Sequence, residues 1–509
     1  MIKTAYKNLI EDYEKLCVAL LILLGCVLRL AALGALPYGL NQDEASAGYE
    51  AFALLRSGID RNGSAWPVLL ESWGSGQNAL MTYLCIPFVA LFGLTEFAVR
   101  LPNAICGCLT LYVFWRMARR CRGRYFGITA LFLLALNPWH IMASRWALES
   151  NLLPFFLLLG IDLTGLAKTK PWALAGAAAA FGLSLYAYGA AFFFLPLYLI
   201  FAVVWLRREL RVLPFLVSLA LFLTLAAPIT LCQIRNALGQ GEETKFLFFT
   251  LPALTEGRQA ATSVFGGADP VENFRDLLKI LWTQSDGLIW NSLGFRQGGI
   301  FYVLGLPAAV VGYLVSLFRR KDLEEEGPVR IALACALVCA FLIRCNINRI
   351  NMIWLPMIYF LAVGAHLILA KLGSWAALPA AAVLASFLLF FSSYCRTFGG
   401  GGEPSYYPGL GAAVKYADSL DDGPIYITSY VNQPYIFALF YTETPPEDFA
   451  ATVEYEDETA AFRQVERFSG FEFERREDCA LMILRRGEAG SNKILAEFGD
   501  YAVCTMGGL

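Results

Sequence analysis

Eleven stretches of nearly unbroken apolar residues recur along the chain, separated by short polar breaks. They lie at about 16–38, 98–118, 125–143, 150–167, 171–188, 190–206, 212–232, 298–318, 328–345, 352–370 and 375–395. Each approaches the roughly 20 residues that a helix needs to cross a hydrocarbon core. The pattern therefore predicts an all-α polytopic membrane protein with about eleven transmembrane helices. A shorter, half-apolar stretch at 79–93, ALMTYLCIPFVALFG, is expected to lie at the interface or re-enter rather than cross.

Past residue 397 the pattern changes. GAAVKYADSL and QPYIFALFYTE have helical spacing, PIYITSY, EFER, CALMILRR and YAVCT read as strands, and NKILAEFG reads as a short helix. This divides the chain into a membrane domain, 1–397, and a small soluble α/β domain, 398–509. The glycines from Gly399 to Gly402 form the expected linker.

Composition agrees with the pattern. Of the 509 residues 57% are hydrophobic and only 16% charged, against about 25% charged in soluble domains. A net charge of −2 gives no general attraction to nucleic acid. The N-terminal apolar run is too long for a cleaved leader and is expected to remain as an anchor. The thirteen cysteines fall mostly in apolar runs and form no metal-binding spacing. Cys479 and Cys504 lie in strand-like segments of the tail, where a disulfide and two free thiols are both open readings.

Basic clusters orient the spans. Lys3, Lys7 and Lys15 precede the first; Arg116 to Arg124, Lys168 and Lys170, Arg207 to Arg211, and Arg319 to Lys321 follow the second, fourth, sixth and eighth. Positive loops stay in the cytoplasm. The loops 39–97 and 233–297 and the tail are then extracytoplasmic, and the protein is a multi-pass component of the cell membrane.

The candidate chemistry gathers on that outer side. Asp43 and Glu44 directly follow the first span; the pair either caps the helix that starts there or supplies a general base. Arg145 and Glu149 stand at i, i+4 after the third span, which would put them on one helical face. They form either an end-capping ion pair or a second carboxylate with an anion-binding partner. Arg349, in the turn CNINRINMIWLP, and Arg100 either snorkel or bind a phosphate. Trp282, Trp290, Phe295, Asp269, Asp286 and Arg296 lie in the long outer loop, where aromatics form either an interfacial belt or a sugar platform. His140 and His366 are the only histidines, which argues against an imidazole relay. Phosphate-cradling and acyl-hydrolase motifs do not occur.

The order RL…NQDEA, LFGLTEFAVRLPNAICGCLTLYVFWRMARR and GITALFLLALNPWHIMASRWALESNLLPFFLLL, followed by NRINMIWLPMIYFLAVG, resembles the GT-C superfamily of membrane glycosyltransferases. Its protein O-mannosyltransferase and aminoarabinose-transferase-like group is the nearest in kind. The resemblance implies transfer of a hexosyl or pentosyl unit from a polyprenyl-phosphate-linked donor to an acceptor hydroxyl outside the cytoplasm, with inversion. It assigns Asp43 as base and Glu44 as its support, with Arg100 and Arg349 near the donor phosphate; Arg145, from its own spacing, is the third candidate for that phosphate. Many relatives carry a lysine before the LFG segment; Gln77, followed by Asn78, stands in its place in this chain. A divalent metal between Asp43 and Glu149 is left open, with no other cofactor expected. The acceptor is a protein, a lipid or a wall polymer. The alternative is a polytopic transporter or flippase of lipid-linked sugars, and a third reading is a scaffold carrying an exported binding domain.

Overall fold

The computed structural model describes residues 2–73, 75–239, 242–254, 263–302, 304–318, 323–400, 403–420, 423–457, 463–474 and 479–505. In chain order, the first half consists of α1 (Ile2–Leu30), α2 (Gln42–Ser57), the hairpin β1 (Leu69–Ser72) and β2 (Ser75–Asn78), α3 (Leu80–Phe92), α4 (Glu96–Arg122), α5 (Arg124–Ala135), α6 (Pro138–Ser144), α7 (Leu153–Ala167), α8 (Ala173–Ala187), α9 (Ala191–Leu206) and α10 (Val212–Ala237). A hairpin of β3 (Thr244–Phe246) and β4 (Phe249–Leu251) follows, then α11 (Pro270–Thr283), α12 (Gly305–Phe318), α13 (Leu323–Leu342), α14 (Trp354–Leu372) and α15 (Ala377–Phe398).

Every apolar stretch holds a helix. Five of these helices are long and apolar enough to cross a membrane, or six if the bent pair α5 and α6 is one span. Leu16, Leu20, Leu23 and Val27 of α1, and Leu384, Leu388 and Leu389 of α15, are exposed large apolar side chains. In water such stripes would drive association; against lipid tails they carry no penalty. The 79–93 stretch forms α3. At 13 residues it is about 20 Å long, short of a crossing, and it packs between α2 and α4.

Two expected spans end differently. The first stops at Leu30, and residues 31–41 turn back as a loop. The third is bent by 61° between α5 and α6, because the residue before Pro138 is disfavoured in helical geometry and Asn137 instead caps α6 through its side chain to the His140 N–H (2.9 Å). Such a break strands carbonyls where water is scarce. Arg29 of α1 donates to the carbonyls of Leu134 (3.1 Å) and Ala135 (3.2 Å), and the Tyr302 hydroxyl donates to that of Leu136. Arg145, just past α6, donates in return to the carbonyls of Leu28 (3.0 Å), in the last turn of α1, and Leu36 (2.7 Å), in the loop after it. Each buried arginine thus closes the other segment's open end.

After Phe398 come α16 (Leu410–Asp418), β5 (Ile425–Ile427), α17 (Pro434–Thr442), α18 (Pro446–Thr452), β6 (Glu454–Tyr455), β7 (Val465–Phe468), β8 (Phe471–Glu472), β9 (Leu481–Arg485), β10 (Lys493–Phe498) and β11 (Tyr501–Thr505). The strands form one mixed sheet in the order β10-β11-β9-β5-β8-β7-β6. NKILAEFG is strand β10, not a helix: the Gly499 turn pairs it antiparallel with β11. Cys479 and Cys504 are both buried, and the β11–β9 register sets Cys504 opposite Met482. Gly401 and Gly402 of the expected linker lie outside the described residues.

The tail rests on α2, the β1–β2 hairpin and the start of α4. Tyr49 donates to the Thr444 carbonyl (2.8 Å), Tyr441 to Glu96 (3.0 Å), and Arg463 pairs with Glu71. Tyr38 N–H is held by the Phe398 carbonyl at 2.8 Å.

Candidate active site

The connections α6–α7, α8–α9 and α13–α14 meet α2 and the β1–β2 hairpin around a cavity of about 250 Å³. Asp43, Gln77, Asn78, Glu149 and Arg349 line it; Glu44, Arg100 and Arg145 do not.

Asp43 sits in the first turn of α2. The cap is Asn41, whose side chain accepts the Asp43 N–H at 3.0 Å, while Glu44 accepts the Asn41 N–H at 3.1 Å. Capping is therefore the work of Asn41 and not of Asp43. The half-buried Asp43 carboxylate lies near Tyr407 of the tail, whose phenol is pushed up chiefly by burial, with the Asp43 charge adding to it.

Glu44 is fully buried and points away from the cavity wall. It receives Arg100 Nε and Nη2 at 2.8 Å each, and also the Ala147 N–H at 3.0 Å. Arg100 donates further to the carbonyls of Leu33, Pro37 and Gly39 (3.2, 2.7 and 2.6 Å) and lies over the Tyr406 ring. Every nitrogen of this guanidinium is committed, leaving no fork to receive a phosphate. Arg145, also buried, serves the α1 carbonyls and the face of Tyr394. Neither arginine is placed as a phosphate ligand, and Glu44 holds Arg100 and the Ala147 backbone in place.

Arg145 and Glu149 do not share a helical face, since α6 stops at Ser144 and Glu149 begins a separate 3-10 turn. Glu149 instead accepts the backbone N–H of Asn78, which ties the hairpin to the α6–α7 connection. Gln77 receives the Ser46 hydroxyl at 3.4 Å. Asp43 and Glu149 are the cavity's two carboxylates, and no cluster of three Asp, Glu, His or Cys suited to a metal occurs among the described residues.

Arg349 is half-buried, and no carboxylate among the described residues pairs with it. Its turn is fixed from two sides: Asn346 accepts the Arg349 N–H at 2.7 Å, and Asp286 accepts the Ile347 N–H at 2.9 Å. Asp286 thus positions the turn from the long α11–α12 connection. Trp290 of that loop lines the cavity edge-on to Trp146 (6.2 Å), whereas Trp282 is 81% exposed elsewhere. Arg344 is exposed and off the cavity.

Sequence reasoning missed the amides Asn41, Gln42, Gln233, Asn346 and Asn348 and the aromatics Trp146, Tyr188 and Phe193 on the cavity wall. They come from four separate connections and from within α2, α9 and α10, and share no spacing that could have signalled them.

A family model described as dolichyl-phosphate-mannose-protein mannosyltransferase matches residues 77–231. No curated protein matches the chain. Among solved structures the chain is similar to ArnT from Cupriavidus metallidurans, covering 96% of this chain and 97% of that one. The apo form gives 14% identity and a TM-score of 0.55, and the form bound to undecaprenyl phosphate 12% and 0.58. It is also similar to the oligosaccharyltransferase of Archaeoglobus fulgidus in complex with Zn and sulfate, at 15% identity and a TM-score of 0.51, over 84% of this chain and 61% of that one. The fold is that of the ArnT structure. The chain resembles the ArnT and protein mannosyltransferase type, with ArnT matched over nearly its full length.

Proposed function

We propose that the protein transfers a sugar from a polyprenyl-phosphate donor to an acceptor hydroxyl on the extracytoplasmic face. The observation that carries this reading is one cavity lined by both Asp43 and Arg349, with Glu44 and Arg100 holding the loop beneath Asp43. The matched ArnT structure is bound to undecaprenyl phosphate, and the family model names a dolichyl-phosphate-mannose enzyme.

In the reaction, Asp43 takes the proton of the acceptor hydroxyl as its oxygen bonds to the anomeric carbon. The bond from that carbon to the phosphate oxygen breaks, and the electron pair leaves with the polyprenyl phosphate. Arg349 meets the developing phosphate charge, and a single displacement inverts the anomeric centre. The amides on the cavity wall suit sugar hydroxyls, which both donate and accept.

Asp43 and Glu149 are the residues that would hold a divalent cation. One Glu149 oxygen is already taken by the Asn78 amide, and with two carboxylates the donor set falls short of the oxygen-rich cages such ions take. The steps above use the protein's own groups.

The test is incubation of purified protein with labelled polyprenyl-phosphate sugars and acceptor fractions from the envelope. Transfer by wild type and none by Asp43→Asn is expected. Equal transfer by both forms would remove Asp43 from the mechanism; movement of intact donor across a vesicle wall without cleavage would favour the transporter reading.

A further inference from the structure

At the end of α4 remote from the cavity, Arg116, Arg119 and Arg120 stand at i, i+3 and i+4, one helical turn below Tyr112 and Trp115. With Arg124, which opens α5, they line an open groove of about 720 Å³. Two carboxylates reach these four guanidiniums: Asp162 is shared by Arg116 and Arg120, and Glu14 meets Arg119 at 2.8 Å. No carboxylate among the described residues pairs with Arg124, which bonds the Tyr125 hydroxyl at 2.9 Å and lies 4.6 Å over its ring. Arg122 is turned away onto Glu326. The groove therefore keeps a positive excess.

Its chemistry is also one-sided. Trp115 Nε1 and Arg120 Nε are buried donors without a partner, so the wall carries N–H groups that its own carboxylates do not satisfy. Arg119 lies 5.6 Å over Trp115 and Arg116 5.8 Å over Tyr112, which spreads aromatic rings beside the cations at the depth where a bilayer becomes polar. A cluster that served only to orient the chain needs charge alone; a groove of cations and rings suits an acceptor-only anion carried on an apolar tail.

We propose that this groove binds the phosphate headgroup of an anionic glycerophospholipid in the leaflet opposite the cavity. Arg119 and Arg124 hold the phosphate oxygens, with Trp115 and Tyr112 against the glycerol and upper chain. The site is separate from the proposed catalytic cavity, so its fate does not depend on the reaction assigned there.

The test uses the full-length protein in nanodiscs of mixed phosphatidylglycerol and phosphatidylcholine, with retained lipid read by native mass spectrometry. Wild type is expected to hold the anionic lipid in preference. Arg119→Gln with Arg124→Gln should lower that preference roughly tenfold, each basic contact contributing severalfold, and leave phosphatidylcholine retention unchanged. Millimolar inorganic phosphate should not displace the lipid. Absence of a preference in wild type, its persistence in the double variant, an equal fall for both lipids, or displacement by inorganic phosphate would each overturn the proposal. If the double variant does not fold, Arg124→Gln alone, which among the described residues gives up a single bond to Tyr125, decides by losing or keeping the preference.

Discussion

Glu44 grips Arg100 through two bonds of 2.8 Å, and the residue before it, Asp43, lines the cavity that Arg349 also lines. Adjacent acids thus have opposite surroundings. On α2, successive side chains diverge by about 100°, so one faces the protein interior and the other the cavity.

Asp43→Asn is expected to cut transfer at least about a hundredfold, the usual loss when a general base is removed. Donor binding, followed by photo-crosslinking of a labelled polyprenyl phosphate, should stay close to that of wild type. A variant with normal turnover would show that another group takes the proton.

Glu44→Gln should act on folding before chemistry. Removing one partner of a buried ion pair typically costs about 3–5 kcal/mol, so the thermal midpoint falls and loop 31–41 loosens. Arg100→Lys should share the defect, because one ammonium cannot serve Glu44 and three carbonyls together. A full-strength midpoint in both variants would contradict the geometry.

Arg349→Ala and Arg145→Ala should part company. The first is expected to lower turnover with donor while leaving the midpoint close to wild type. The second should lower the midpoint, since the carbonyls of Leu28, Ala32 and Leu36 lose their donor. Reversed outcomes would make Arg145 the phosphate ligand and Arg349 the structural residue.

A pH effect should come from the buried cluster beneath α2. Burial pushes Glu50 up to about 7 and Asp60 to about 6, despite Arg61, whose Nε lies 3.2 Å from Glu50. The folded state then holds more protons than the unfolded one between the ordinary carboxylate range and pH 7. Stability is greatest below that range and declines as pH rises to about 7, by up to about 3 kcal/mol for Glu50. Glu50→Gln should flatten the decline, as measured by melting from pH 5 to 8.

Transfer should survive chelation by EDTA, because the proposed steps rest on Asp43 and Arg349. Loss of activity that returns with added divalent ion would place a metal between Asp43 and Glu149.

Much of the helical layout was legible because hydropathy is a local property: each of the eleven apolar runs holds a helix. Asp43 stood out because an acid so near lipid is costly. The bend at Asn137–Pro138 was visible as a proline signal but was read through, since the run stays apolar on both sides. NKILAEFG misled because its short helical spacing yields to the β11 edge that pairs with it.

The roles of the arginines were not legible. In sequence, Arg100, Arg145 and Arg349 are alike: basic residues at the outer ends of spans. What separates them is whether chain 56 to 67 residues away closes on Arg100, and 109 to 117 away on Arg145, leaving Arg349 to the cavity. Local pattern settles which segments form apolar helices, because hydropathy depends on each segment's own side chains. Which charge is spent on folding and which is kept for a substrate depends on the partners that distant segments bring, and packing alone decides that.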